Sequence, residues 1–351
     1  MDDIAVGLIG YGVGGAMFHA PFLAAVPRLR LAAIATGRQD QVRRDFADVR
    51  IYSTPDRLIA DSGLDLVVIS TPTATHAALA ESALLAGKHV VVDKPFALAA
   101  AEASRLIELA RSEKRFLSVY QNRRWDGDFR TVRRVIEKGR LGAVYSFESH
   151  IDRFRTEIKP GWREQPGAGS GILYDLGAHL IDQAIVLFGM PSAITADVMA
   201  QRPAARATDY FHLILDYGRL RVILHSSLLV REAGPRFAVH GDGGSFLKYG
   251  VDPQEGALNA GRRPGAPDWG RDHPEQYGLL VAADGTASQV ETLPGAYQSY
   301  YEAVAAAILD GGPVPVDPAD SRKGLELIEL AMRSAAERRT VEVAGAKTAG
   351  R

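Results

Sequence analysis

The stretch Ile4-Ala5-Val6-Gly7-Leu8-Ile9-Gly10-Tyr11-Gly12-Val13-Gly14-Gly15-Ala16-Met17-Phe18 decides how the rest of the chain is read. Its first six residues form an apolar run without polar alternation, the pattern of a strand buried on both faces. They lead into Gly10, Gly12 and Gly15, spaced as G-x-G-x-x-G. Gly10 permits a tight turn, Gly12 lets a pyrophosphate approach the backbone, and Gly15 lets the next helix pack close to the strand. A helix from near Gly14 through Phe22 would aim its free N–H groups and positive dipole end at the phosphates. The spacing alone is a weak signal; its place between a strand and a helix makes it a dinucleotide-binding fingerprint.

Four further apolar runs repeat the strand pattern: Leu29 to Thr36, Asp65 to Ser70, His89 to Val92 and Phe116 to Tyr120. Helical stretches at His76 to Ala86 and Ala99 to Ser112 separate the later ones. Strands alternating with helices predict a doubly wound parallel sheet covered on both faces, with ligands beyond the carboxyl ends of the strands. Gly10, Thr36, Thr71 and Lys94 all fall on that side. The second strand ends about 20 residues past the fingerprint, where such folds choose between cofactors. There the chain has Thr36 and Arg38 in place of an acidic residue. A hydroxyl and a planar cation suit a 2′-phosphate, so NADP(H) is expected over NAD(H).

At 351 residues the chain calls for two domains, and 46% hydrophobic with 24% charged residues allows a sizeable core. The net charge is −1 without charge runs, so neither nucleic acid nor an anionic membrane is an expected partner. There is no cysteine, which excludes disulfides, thiolate nucleophiles and cysteine-held metals. The Met-Asp-Asp start lacks the positive region of a signal peptide, and no apolar run would span a bilayer; a cytoplasmic location is expected.

Beyond residue 121 the pattern changes. One helix, about Phe129 to Lys138, is followed by runs of strand character at Val144 to Phe154, Tyr210 to Tyr217, Leu220 to Leu229 and Phe237 to His240. With no helices between most of them, an α+β domain with a large, mostly antiparallel open sheet is predicted. Residues 252 to 295 are rich in Gly, Pro and Asp and predict long loops plus a hairpin turning at Asp284-Gly285. Helices near Ala296 to Leu309 and Ser321 to Arg338 close the chain, and the tail after Val343 is expected to fray. The domains so read are residues 1–121 and 122–351.

Two places in the sequence carry candidate chemistry. Asp93-Lys94-Pro95 puts a lysine at a strand end on the cofactor side, with the proline biasing it to an extended conformation. In Gly167-Ala168-Gly169-Ser170-Gly171-Ile172-Leu173-Tyr174-Asp175-Leu176-Gly177-Ala178-His179, a glycine-rich turn feeds a helix. Asp175 and His179 lie four residues apart there, on one face, and Asp182 is near it. A carboxylate beside an imidazole suits general acid/base work near neutrality. The same spacing also suits a plain surface ion pair. No histidine or cysteine cluster stands at metal-ligand spacing, so no metal is expected.

Together these motifs resemble the Gfo/Idh/MocA oxidoreductase family over essentially the whole chain, most closely its NADP-dependent scyllo-inositol dehydrogenase-like branch. Phe18-His19-Ala20-Pro21, Asn122-Arg123-Arg124-Trp125-Asp126, Asp152-Arg153-Phe154-Arg155, Trp162-Arg163-Glu164-Gln165 and Lys248-Tyr249-Gly250-Val251-Asp252-Pro253-Gln254-Glu255 are similar to that branch. Asp93 stands where the family usually has Glu, one methylene shorter. The resemblance implies Lys94, Asp175 and His179 as the catalytic trio and allows a cis Lys94–Pro95 bond. It implies Gly10, Tyr11, Gly12, Gly15, Thr36, Arg38, Thr71, Pro72, His76, Asp93, Lys94, Trp162 and Arg163 around the cofactor. Asn122, Arg123, Arg153 and Tyr174 would face the substrate with Asp175 and His179. The implied activity is hydride transfer between NADP(H) and a secondary alcohol or ketone of a cyclic polyol or sugar. A non-catalytic NADP(H) sensor is the alternative. The open sheet is expected to pair as a homodimer or homotetramer.

Overall fold

Strand β1 (Ile4–Ile9) is buried at all six positions, as its unbroken apolar run requires. The structure is a computed structural model that describes residues 3–345. The part of the tail beyond 345, where fraying is expected, lies outside the described residues. Around β1 run β2 (Leu29–Ala35), β3 (Arg50–Tyr52), β4 (Leu66–Ile69), β5 (His89–Asp93) and β6 (Leu117–Tyr120). All pairs are parallel, in the order β3-β2-β1-β4-β5-β6. The chain order reverses at β1 and β4, so the fingerprint after β1 sits at the topological switch point, where doubly wound sheets bind nucleotides. Helices α1 (Ala20–Ala25), α2 (Gln39–Asp45), α3 (Pro55–Ile59), α4 (His76–Leu85) and α5 (Ala100–Ser112) link the strands. Strand β3 escapes sequence reading because Arg50-Ile51-Tyr52 is too short to show a period.

The chain divides into two compact units. The first runs through Asn122 and also takes in Gln254–Trp269 and Ala296–Arg322. Sequence reading places both later segments in one continuous domain from 122 onward; aromatic packing joins them to the first unit. The Phe22 ring meets Trp269 and Tyr297 edge-on, each with centroids 6.1 Å apart. Tyr120 packs on Tyr300 at 4.9 Å and Tyr301 at 5.5 Å. Aromatic pairs at these spacings each add about 0.5–1.5 kcal/mol to the apolar area they bury. Gln254 Oε1 accepts Trp269 Nε1–H at 3.1 Å and the Tyr297 N–H at 2.9 Å, which fastens the two segments to each other. Here α8 (Gln254–Asn259) takes the place of an expected loop, and α9 is Gln298–Asp310.

The second unit comprises Arg123–Pro253, Gly270–Gly295 and the chain from Lys323. Its nine strands are β7 (Val144–His150), β8 (Ala193–Met199), β9 (Tyr210–Tyr217), β10 (Leu220–Ser227), β11 (Phe237–Gly241), β12 (Gly244–Lys248), β13 (Gly278–Ala282), β14 (Ala287–Val290) and β15 (Val341–Glu342). They run in the order β14-β13-β12-β11-β7-β10-β9-β8-β15, antiparallel except for β7 with β10. Alternation sets the two faces. Phe147, Phe211, Leu213, Leu215, Val222 and Leu224 point inward and are fully buried. They pack against Phe129 and Val132 of α6 (Gly127–Glu137) and Leu180, Ile181 and Ala184 of α7 (Ala178–Phe188). Burying one such Phe or Leu side chain stabilises by about 1.5–3 kcal/mol. Glu148, His150, His212 and His225 occupy alternate positions and turn the other way. The expected hairpin is present: Gly285 has φ +85°, and Asp284 Oδ1 accepts the Thr286 N–H at 2.8 Å. Helix α10 covers Pro318–Glu337. Among the described residues no helix is long and apolar enough to cross a membrane.

Candidate active site

In the first unit every strand of the sheet points the same way, so the residues after β1, β2, β4 and β5 share one edge. The fingerprint glycines at that edge have separate physical duties. Gly10 holds φ +97°, and a Cβ there would lie 2.2 Å from the Ser70 carbonyl oxygen. A Cβ on Gly15 would lie 2.0 Å from the Gly10 carbonyl oxygen, so the helix can approach the strand only without one. At Gly12 a Cβ would meet no atom within 4 Å. The backbone is therefore bare on that side, as a pyrophosphate needs, and the exposed Val13 stands beside it. The helix opens with a π-helical turn, Gly14–His19, before continuing as α1. Such turns are frequent at functional sites.

Asp93, at the end of β5, is an anion. Burial pushes its carboxyl up, but the nearby His19 ring and the charges of His76 and Lys94 outweigh burial, holding it well below the carboxylate range. One carboxylate oxygen accepts the Lys94 N–H at 2.8 Å and fixes the turn; the other accepts Ser70 Oγ–H at 3.1 Å. His19 Nε2 lies 3.4 Å from that second oxygen, and His19 Nδ1 lies 2.5 Å from Tyr301 Oη. Burial, foremost, raises the Tyr301 phenol well above its ordinary value, so it stays neutral against the His19 ring. This Tyr301–His19–Asp93 chain is a supporting device that sequence reading missed, since Tyr301 is remote in sequence and carries no motif. The Lys94–Pro95 peptide is cis, as the family resemblance allows.

The other residues expected around the cofactor are placed as follows. Thr71 is half-buried and Pro72 exposed at the end of β4, and Thr71 Oγ1 is 2.7 Å from Thr75 Oγ1. His76 is buried, with Nδ1 2.8 Å from the Pro95 carbonyl oxygen and Nε2 2.9 Å from that of Thr71. It thus ties together the loops after β4 and β5 from beneath. Tyr11 is likewise turned inward, and its hydroxyl donates to Asp45 at 2.7 Å. Burial and then the Asp45 carboxylate push its phenol up. Thr36 and Arg38 stand together after β2, with Thr36 Oγ1 accepting the Arg38 N–H at 3.0 Å and the Arg38 side chain exposed.

In the second unit Asp175 lies in a second π-helical turn, Leu173–Gly177, and His179 in the first turn of α7. Asp175 is half-buried and His179 buried at 5% exposure. Gly171, with φ +83°, turns the chain into this helix. At Gly177 a Cβ would meet Leu173 Cδ1 at 2.7 Å and Phe211 at 3.4 Å. The mid-helix glycine therefore serves packing on the sheet. Arg163 lies over the Trp162 ring at 4.5 Å, and its Nε is 3.3 Å from Asp175 Oδ1. The structure so joins three of the expected site residues. Their loop is held by buried Arg202, which donates to Glu164 at 2.6 Å, Asp209 at 2.8 Å and the Glu157 carbonyl at 2.8 Å. Asp182 instead takes a two-pronged pair with Arg124, at 2.8 and 2.7 Å. Arg123 donates to Asp126 at 3.2 Å, Arg153 is half-buried after β7, and Tyr174 packs at the edge of the core. Asn122 is buried at the end of the first unit.

A parallel sheet of this order, with G-x-G-x-x-G at its switch point and a lysine at the end of β5, defines an NAD(P)-binding oxidoreductase fold. Two family models match: "Oxidoreductase family, NAD-binding Rossmann fold" over residues 4–121, and "Oxidoreductase family, C-terminal alpha/beta domain" over residues 133–343. The chain belongs to the Gfo/Idh/MocA oxidoreductase family. It is 48% identical to the uncharacterized oxidoreductase YdgJ of Escherichia coli (strain K12), covering 97% of this chain and 99% of that one. It is 42% identical to scyllo-inositol 2-dehydrogenase (NADP(+)) IolW of Bacillus subtilis (strain 168), over 97% of this chain and 96% of the relative. The solved structure of yvaA from Bacillus subtilis superposes with a TM-score of 0.95 at 41% identity, covering 97% of this chain and 99% of that one. An oxidoreductase from Agrobacterium radiobacter, solved with NAD+, shares the fold at 21% identity.

Proposed function

We propose that this oxidoreductase uses NADP(H) and acts on a secondary alcohol or ketone carbon of a cyclic polyol or sugar of the scyllo-inositol kind. The observation that carries the reading is the 42% identity to IolW across 97% of the chain. Thr36 and Arg38 after β2 support the 2′-phosphate. Gly10, Gly12, Gly15, Thr71, Pro72, Arg38, Trp162 and Arg163 would hold the cofactor, whose nicotinamide supplies the hydride acceptor or donor. In oxidation His179 takes the proton of the reacting hydroxyl. Lys94 donates a hydrogen bond to the same oxygen and favours its developing negative charge. Asp175 holds a neighbouring hydroxyl and orients His179. Asn122, Arg123, Arg153 and Tyr174 supply further donors for a many-hydroxyl substrate. Homo-oligomerisation would use the outward face of the nine-stranded sheet.

The test is hydride exchange with NADPH across a panel of inososes, inositols, ketoses and aldoses. Turnover confined to cyclic polyols and their ketones is expected. Tight NADPH binding without turnover on any member would overturn the enzymatic reading in favour of a nucleotide sensor. The cofactor choice is tested separately. Arg38→Asp removes charged hydrogen bonds worth about 1.5–3 kcal/mol, so NADP(H) affinity should fall roughly 10- to 100-fold while NAD(H) affinity holds or improves. Equal parental affinity for the two cofactors would remove the argument.

A further inference from the structure

We propose that His150, Asp152 and His225 form a site for one divalent transition-metal ion of the zinc class on the outward face of the nine-stranded sheet. The three residues each offer a ligand atom, and these atoms lie within 4.8 Å of one another. Strand register makes the arrangement: β7 and β10 pair in parallel with His225 directly beside His150, and their rings stand 5.2 Å apart. Asp152 follows β7 by two residues and returns to the same spot.

The contacts within the cluster are those of co-ligands. His225 Nδ1 lies 3.2 Å from Asp152 Oδ1, yet this buried nitrogen makes no hydrogen bond. Four ligands about 2.0–2.1 Å from a tetrahedral ion are themselves spaced at roughly 3.3 Å, which this pair matches. His150 Nδ1 is 3.8 Å from the other oxygen, Oδ2. One backbone group holds the carboxylate in place, and a second carboxylate stands beside His150. The Ser227 N–H donates to Asp152 Oδ1 at 2.9 Å, and Glu148 Oε2 lies 3.4 Å from His150 Nε2. Like His225 Nδ1, His150 Nε2 is a buried nitrogen that makes no hydrogen bond, so a donor atom on each imidazole stands without a protein partner beside a carboxylate. Tyr210 and His212 wall the His225 ring at 5.5 and 5.7 Å. Two imidazoles and one carboxylate suit zinc with a water in the fourth position; magnesium and calcium demand oxygen ligands.

The experiment is calorimetric titration of the tag-free, chelator-treated full chain with ZnCl2, with bound zinc counted by mass spectrometry after dialysis. One zinc per chain is expected. His225→Gln and Asp152→Asn should each weaken binding by at least about tenfold. His240→Gln should leave it unchanged, because that histidine, on the neighbouring strand β11, is engaged with Ser245 Oγ at 2.8 Å. Circular dichroism melts check that the variants fold, and His150→Gln repeats the test from the other strand. A cobalt(II) titration adds a spectral readout, since a tetrahedral site gives intense visible absorption that His225→Gln should abolish. Substoichiometric zinc in the parent, or parental affinity in folded His225→Gln and His150→Gln, would overturn the site.

Discussion

Lys94→Ala is expected to lower kcat by about two to three orders of magnitude while leaving the dissociation constant for NADPH nearly unchanged. The lysine stands at the carboxyl end of β5 beside Asp93, a carboxylate kept ionised by His19, His76 and Lys94 itself. Asp93 already binds the Lys94 backbone N–H and Ser70, so the turn survives loss of the side chain. On the proposed mechanism what is lost is a cationic donor to the reacting oxygen, and removing one such donor typically costs about 3–4 kcal/mol of transition-state stabilisation. His179→Ala should cost a comparable factor, about 10² to 10⁴, through loss of the proton acceptor. If the two groups act on one oxygen, as proposed, the double variant should be little worse than the worse single one. Steady-state kinetics with NADPH fluorescence titration separates the two parameters. Parental kcat in either variant would remove that residue from the chemistry.

How far the chain can be read without coordinates differs between the two units. The parallel sheet is legible because β1 and β4 are apolar throughout, β2, β5 and β6 are largely so, and helices of the expected period separate most of them. Burial on both faces keeps their central positions apolar. Where signal is short or diluted, it fails: β3 has three residues, β8 interleaves Ala and Thr, and β12 opens on glycine. The reading of 122 onward as one block could not see that Trp269 and Tyr297 pack on Phe22. No local pattern encodes a ring's distant partner. The candidate site divides in the same way. Lys94, Asp175 and His179 sit in short motifs that the sequence displays on its own. Asp182 shares that helix, yet its partner is Arg124, chosen by tertiary packing. His19 stands in a visible motif, but its tie to Tyr301 and Asp93 spans three separate elements. His150 and His225 meet only through the register of β7 and β10.

A paired substitution in the fingerprint separates what the fold demands from what the cofactor demands, and its effects should be large in opposite readouts. In Gly15→Ala the new methyl would fall 2.0 Å from the Gly10 carbonyl oxygen, a backbone atom that cannot rotate away. The helix must shift from β1, or the turn at Gly10 must open against the Ser70 carbonyl. Overpacking of this kind costs about 1–3 kcal/mol, so a clear fall in the melting temperature of the cofactor-free protein is expected. Gly12→Ala places its methyl where no protein atom lies within 4 Å, so the cofactor-free protein should melt as the parent does. NADPH affinity should nevertheless collapse, because the methyl fills the space through which a pyrophosphate reaches the backbone. The contrast is the informative quantity. A Gly12→Ala protein that binds NADPH with parental affinity would show that the phosphates do not pass over this turn. The switch point would then be a packing feature of the sheet, and the cofactor would have to be sought at another edge.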